Sequence, residues 1–312
     1  MDFRTISTIA LSNRDFPSFE AKLAEAVRWI EYARLQQADL VVLPELLNFY
    51  RGDGPDHPDP LPFRDTALSD WTCVLAYFSE TAKRLELAVV LPLLISEAGG
   101  LANVFFLISK EGCTVGRFQK LHPAPGEIRE GVVPGRPLLM DWDGVSVSGA
   151  ICFDTHYLST FSEQVRLGAR LFIIPSLWNG GPWLEGLAAR FATPMALAYP
   201  AWSRIIDLDG TTLAAGGYRQ ESLGFGAGAP VFTAVLNFDR EVFHLSEQSH
   251  KIIEIQKAYG PSVRVRTLHE QAAFCIESLS SDVSVPEIIA HHGLVRYTDY
   301  LDQSEVSSRI GA

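Results

Sequence analysis

Cysteine is scarce in this chain. Its four cysteines in 312 residues follow no regular spacing, which argues against a disulfide framework and against the paired spacing of a zinc site. Such usage fits a reducing, cytoplasmic setting. Positive charge is also short: 26 Lys and Arg stand against 37 Asp and Glu, a net charge of −11. Nucleic-acid affinity rests on lysine and arginine contacts to phosphate, so no nucleic-acid partner is expected. Long apolar runs are missing too. The longest, residues 87–95, is broken by Pro92 and falls well short of the roughly 20 residues that span a bilayer. The first ten residues carry no apolar stretch before a small-residue cleavage site, so neither a signal peptide nor a membrane association is expected. Repeats and low-complexity segments are absent. What the chain does have is apolar content, 47% hydrophobic, ample for one large core or two small ones.

Of the reactive residues, Cys152 has the most telling surroundings. Residues 145–151 read as an apolar strand that ends on the thiol, and Ser148, Gly149 and Ala150 are small enough to let a neighbouring backbone come close. A helix is expected over residues 155–168, then a second buried strand over 171–175. A thiol between the carboxyl end of a strand and a helix start sits where open α/β sheets place their chemistry. Helix N-terminal amides are expected to lower its pKa, giving fast alkylation with a pH profile below the free-thiol value of about 8.5. Taken alone, a cysteine in an apolar run is more often an inert core residue. Cys73, Cys113 and Cys275 have no such company and read as structural or incidental thiols.

Two other strand ends carry charge. Residues 39–43 form a short buried strand delivering Glu45, and residues 117–119 extend into Lys120, with Glu127 a few positions on. A carboxylate beside a thiol takes its proton and later activates water. An ammonium stabilises the oxyanion formed when a thiolate attacks a carbonyl or nitrile carbon, and the thiolate splits one hard step into two easier ones. Singly, Glu45 reads as a cap, Lys120 as a solvated strand end and Glu127 as a loop carboxylate. Their joint occurrence, in this order, argues otherwise.

Periodicity supplies the frame. A strand is expected over residues 4–11, and a helix over 19–35 with Phe19, Leu23, Ala26, Val27, Ile30 and Ala33 on one face. Residues 51–65 read as a long loop or lid; its Asp53, Asp56, His57 and Asp59 fit solvated loop chemistry better than a metal site. A second helix covers 69–85, with Trp71, Val74, Leu75, Phe78 and Ala82 inward, and a buried strand covers 87–91. Hairpins are expected at residues 110–112 and at Asp143-Gly144, and a strand pair at Asp209-Gly210. Beyond His244, helical patterns at 251–258, 268–279 and 285–292 show no second core. Early β–α–β alternation with later hairpins implies an α/β protein of mixed sheets covered by helices.

Leu-Pro-Glu45, Lys120-Leu-His with Glu127 after it, and Cys152-Phe-Asp154 resemble the signature set of the nitrilase, or carbon–nitrogen hydrolase, superfamily. The likeness extends to Asn103-Val-Phe-Phe through Gly116, Gly131-Val-Val-Pro-Gly135, Ile173-Ile-Pro-Ser176 and Ser203-Arg-Ile-Ile-Asp207-Leu-Asp-Gly210. It implies a four-layer αββα sandwich of the nitrilase type over residues 1–243. It also implies a C-terminal extension, 244–312, packing on that domain or on a partner subunit of a homodimer or larger homo-oligomer. Three departures stand out. Tyr157-Leu-Ser159 replaces the usual aromatic-Pro-Glu, Thr193 and Pro194 replace the usual Glu-Asn, and almost no loop separates Pro200 from Ser203.

By this resemblance Glu45 is the general base, Lys120 and a backbone N–H after Cys152 hold the oxyanion, and Cys152 is the nucleophile. Glu127 orients Lys120 or the substrate amine. Nitrile-cleaving members tend to carry Trp-Glu after the cysteine, whereas Phe153-Asp154 is closer to amidase and N-carbamoyl-hydrolase branches. The expected function is therefore hydrolysis of a non-peptide C–N bond in a small amide or N-carbamoyl compound through a thioester, releasing ammonia. The rivals are nitrile hydrolysis, a soluble acyl transferase and an inactive scaffold. No metal and no organic cofactor is called for. Phe49, Tyr50, His156, Trp178 and Asn179 are candidates for pocket lining, His156 reading more readily as a hydrogen-bonding residue at a helix start. Arg129, Arg190 and Arg204 are candidates for holding a substrate carboxylate.

Overall fold

The computed structural model describes residues 1–12, 16–49, 63–217 and 229–310. Tyr50 and residues 51–62 of the expected lid lie outside the described residues. The chain divides into two compact units, one comprising Thr5–Ala188 and Thr193–Ala234, the other Met1–Arg4, Ala189–Ala192 and Val235–Ala312.

The larger unit opens with β1 (Phe3–Ile9), α1 (Phe19–Leu35), β2 (Leu40–Val42), a short α2 (Phe63–Thr66) and α3 (Trp71–Leu85). Helix α1 starts where Ser18 accepts the Ala21 N–H, a side-chain N-cap. Then come β3 (Ala88–Glu97), β4 (Gly100–Ile108) and β5 (Thr114–Gln119). Strand β3 runs further than its sequence suggested, straight through Pro92. The reason is local: the Pro92 carbonyl accepts from Leu47 N–H, so the missing proline N–H falls on the side where β2 has already ended. No ladder bond is lost there.

The chain continues through α4 (Pro125–Arg129), β6 (Met140–Trp142), β7 (Val145–Gly149), α5 (Leu158–Leu167), β8 (Leu171–Pro175), α6 (Trp183–Phe191), β9 (Met195–Ala198), β10 (Ser203–Ile206) and β11 (Thr212–Gly216), before β12 (Val231–Asn237). Two six-stranded sheets result, ordered β12-β1-β2-β3-β4-β5 and β11-β10-β9-β8-β7-β6. Each has a parallel centre, β1–β2–β3 or β7–β8–β9, and antiparallel flanks. The three turns expected from the sequence join β4 to β5, β6 to β7 and β10 to β11.

Helices α1 and α3 bury Ala26, Val27, Ile30, Phe78 and Ala82 against Val41, Val89, Leu91 and Phe106 on one face of the first sheet. On its other face Phe105 and Phe118 stack at 5.2 Å against Gly149 of the second sheet, where an added Cβ would lie 2.5 Å from Phe105. Beyond the second sheet, Phe161 of α5 meets Phe172 edge-on at 4.9 Å. The layers are therefore helix, sheet, sheet, helix, as the resemblance implied.

The smaller unit corrects two expectations. It adds β13 (Arg240–His244), α7 (Lys251–Tyr259), β14 (Val263–Leu268), β15 (Ala273–Ser278), α8 (Val285–His292) and α9 (Tyr297–Ile310). Residues 268–279, read as helical, contain β15, the middle strand of a sheet ordered β13-β15-β14. A short, continuous apolar run such as Ala273-Phe-Cys-Ile276 does not separate helix from strand by period. There is also a core of its own: Phe243, Ile255, Val263, Phe274, Ile276, Val285, Ile288 and Leu294.

Candidate active site

Strand β2 stops at Val42 and the chain turns, with Leu46 at φ +54°, so that Glu45 points back into the unit. Asn48 pins that turn, donating to Thr66 O at 2.7 Å and Leu94 O at 2.9 Å and accepting from Leu94 N–H at 2.8 Å. The buried Lys22 of α1 donates to Phe49 O at 2.6 Å. Lys120 leaves the end of β5 with its N–H on Asn103 O at 2.9 Å. Glu127 sits in the first turn of α4 and accepts the Ala124 N–H at 2.6 Å, the carboxylate position a helix start favours.

These side chains meet. Lys120 Nζ donates to Glu45 Oε1 at 2.9 Å and to Glu127 Oε2 at 2.8 Å. Asn103 Nδ2 donates to Glu45 Oε1 and to Glu127 Oε1, both at 2.8 Å. Leu177 N–H completes the set on Glu45 Oε2 at 2.9 Å. Glu45, Lys120 and Glu127 are 1%, 2% and 4% exposed, so this charge cluster is dry and each member depends on its partners. Asn103 was missed as a site residue in the sequence, although an amide inside the apolar run Leu101-Ala-Asn-Val-Phe-Phe was a readable signal.

Cys152 follows β7 and opens a 3₁₀ turn, Cys152–His156, at φ +47°. A non-glycine residue held there costs about 1–3 kcal/mol, and Asp154 shows what holds it. Its buried carboxylate accepts from Ile151 N–H at 2.9 Å, Leu121 N–H at 3.2 Å and His122 N–H at 2.6 Å. Asp154 therefore staples the Cys152 turn to the backbone just after Lys120. Burial pushes the Asp154 carboxyl up, against those three N–H groups, which pull it down.

The thiol departs from expectation. The helix expected from residue 155 starts only at Leu158, after the 3₁₀ turn that Cys152 opens. Burial first, then Glu45, push the Cys152 thiol up to about 12, while Lys120, Leu177 N–H and the Ser176 hydroxyl oppose them. Lys120, shared between two carboxylates, is the first of the opposing groups but does not offset burial and Glu45. Burial alone would lower Lys120; Glu45, Cys152 and Glu127 outweigh it and hold the ammonium well above its ordinary value.

The expected pocket residues divide. His156 and Trp178 stack at 4.5 Å and 14°, with Phe153 against His156 at 5.1 Å, an aromatic group one turn from the thiol. Phe49 instead packs toward Phe63 within a cluster of Leu46, Leu94, Leu101 and Val132. Asn179 spends its side-chain oxygen on Gly181 N–H at 2.9 Å. Tyr50 lies outside the described residues.

A family model for carbon–nitrogen hydrolases matches residues 8–227. Among solved structures, the chain is similar to an amidase from Nesterenkonia sp., with TM-score 0.61 and 19% identity over 75% of this chain and 90% of that one. A double mutant of the amidase from Nesterenkonia sp. AN1 in complex with acrylamide gives TM-score 0.61 and 17% identity, over 82% and 97%. Nit3 of Saccharomyces cerevisiae, a member of branch 10 of the nitrilase superfamily, gives TM-score 0.60 and 19% identity, over 84% and 96%. At such identities the structural likeness speaks to the fold. None of the curated proteins compared matches the chain.

Proposed function

Since the chain belongs to the carbon–nitrogen hydrolase family, we propose that it hydrolyses a small amide or N-carbamoyl compound through a thioester on Cys152. The observation that carries this reading is the buried Glu45–Lys120–Glu127 cluster, whose Glu45 and Lys120 both act electrostatically on the Cys152 sulfur. A thiol pushed up to about 12 keeps its proton at neutral pH, so a base must take it as attack occurs. Glu45 takes it, and Sγ bonds to the substrate carbonyl carbon. Negative charge passes to the carbonyl oxygen, met by the Lys120 ammonium and the backbone N–H of Phe153. Glu45 then gives its proton to the leaving nitrogen, the C–N bond breaks and ammonia departs. Water, deprotonated by Glu45, attacks the thioester and the thiol is restored. Glu127 orients Lys120, a role supported by its 2.8 Å contact. The amidase neighbours, one of them holding acrylamide, support amide over nitrile.

The test is ammonia release from a panel of primary amides, N-carbamoyl amino acids and nitriles, with Cys152→Ala alongside. Release from the amide or carbamoyl class that vanishes in Cys152→Ala is expected. Release from nitriles alone would replace the substrate class, and silence with an inert Cys152 would sink the enzyme reading.

A further inference from the structure

Residues 176–182, between β8 and α6, bring the Leu177 N–H to Glu45 Oε2 at 2.9 Å, while the Ser176 hydroxyl donates within the loop to Trp178 O at 2.5 Å. This loop has little regular structure to hold it. Ser176 Oγ bonds Trp178 N–H at 2.9 Å, Asn179 turns onto Gly181 N–H, and Gly180 and Gly181 both take positive φ, +70° and +53°. Beyond the His156–Trp178 stack and the Ser176 N–H on Ala198 O, the far half of the loop is held by Arg204 of β10, two strands away in the sheet and 7% exposed. Its Nη2 donates to Asn179 O and to Gly181 O, the latter at 3.0 Å, and its Nη1 pairs with Glu185 Oε1 at 2.5 Å. Glu185 lies in the first turn of α6 and also accepts from Thr212 Oγ1 of β11 at 3.0 Å. Arg204 Nε and Glu185 Oε2 have no partner among the described residues. The guanidinium thus gives up a two-point pairing with Glu185 in favour of two loop carbonyls. A buried arginine turned away from its best ion-pair geometry is oriented by the loop.

We propose that Arg204, buttressed by Glu185, is a positioning residue for the reaction, clamping residues 176–182 so that the Leu177 N–H stays on Glu45. The assignment rests on the amidase-type reading of that site. It also removes Arg204 from the candidates for a substrate carboxylate, because both of its terminal nitrogens are engaged. The clamp acts on geometry at the base, so its loss lowers kcat more than it raises KM. Misplacement of about 1 Å at a reacting group costs up to 100-fold.

The experiment compares wild type with Arg204→Lys, Arg204→Met and Glu185→Gln in three readouts, with circular dichroism melts showing that each variant is folded. The first is kcat and KM on the best substrate of the panel. The second is the pH dependence of Cys152 alkylation by iodoacetamide. The third is hydrogen exchange across residues 176–182. The expected result is a kcat lower by about 10- to 100-fold in both Arg204 variants, with a smaller change in KM. Glu185→Gln should fall between them and wild type. Alkylation should shift to higher pH as the Leu177 N–H withdraws, and exchange across the loop should quicken. Folded Arg204→Met and Glu185→Gln with wild-type kcat, alkylation profile and exchange would overturn the clamp. A wild type that releases no ammonia and has an inert Cys152 overturns the reading of the site instead. Hydrogen exchange still decides in that case whether Arg204 holds the loop.

Discussion

At the scale of single residues, the thiol sets the clearest expectation. An unfolded cysteine titrates near 8.5, whereas folded Cys152 is pushed up to about 12 by burial and Glu45. The folded state therefore binds this proton more tightly. The corresponding stability is fully present below about pH 8.5 and is lost as pH rises toward about 12. Denaturant titrations from pH 8 to 11 should show wild type losing stability faster than Cys152→Ser, and parallel curves would remove the assignment. In the same range iodoacetamide should label Cys152 ever faster, with no plateau near pH 8. Asn103 makes a second test. One amide group donates to both glutamates, so Asn103→Leu leaves two buried carboxylates each short of a donor, at about 1–3 kcal/mol. The expected outcome is a lower melting temperature and a kcat down by about tenfold or more. Asn103→Asp, which adds a third acidic group among two, should be worse, and equal activity in both variants would mean Asn103 only fills space.

Between elements, the decisive contact is the meeting of the two sheets. A Cβ on Gly149 would lie 2.5–2.9 Å from Phe105 and Phe118, closer than carbon atoms pack. Gly149→Val should therefore cost about 1–3 kcal/mol or more as the stacked rings are displaced, read as a lower urea midpoint with an unchanged slope. Retained stability would mean that the rings have room to shift. The glycine's smallness was visible in the sequence as a sign of close approach. The approaching group is not the backbone expected there but a pair of aromatic rings from the other sheet. Strand β3 teaches a related point. Proline inside an apolar run normally ends a strand, yet Pro92 sits in one because its neighbour β2 is only three residues long. Neighbour length is a property of the sheet and cannot be read from the run itself.

For the whole molecule, no helix among the described residues is long and apolar enough to cross a membrane, in line with the short apolar runs. The smaller unit carries its own three-stranded sheet and its own core. We expect a homodimer or larger assembly on the strength of the family resemblance. Sedimentation at assay concentration, giving twice the 34.4 kDa chain mass or more, checks this. A monomer at that concentration would remove the expectation. With a net charge of −11, two copies repel overall, so association should strengthen as salt screens that repulsion.

Local chemistry let the sequence determine α1, α3 and the hairpins, because period and turn residues act within a few positions of one another. Motif order likewise singled out Glu45, Lys120 and Cys152 as candidates, since each stands where a strand runs out. Tertiary structure alone decided the state of the thiol. Its proton affinity depends on burial and on how Lys120 divides its charge between Glu45 and Glu127, which no local window contains. The same holds for Asn103, Asp154 and Arg204. Each acts on groups tens of residues away in the chain, and a polar side chain declares its partners only after the sheets have closed over it.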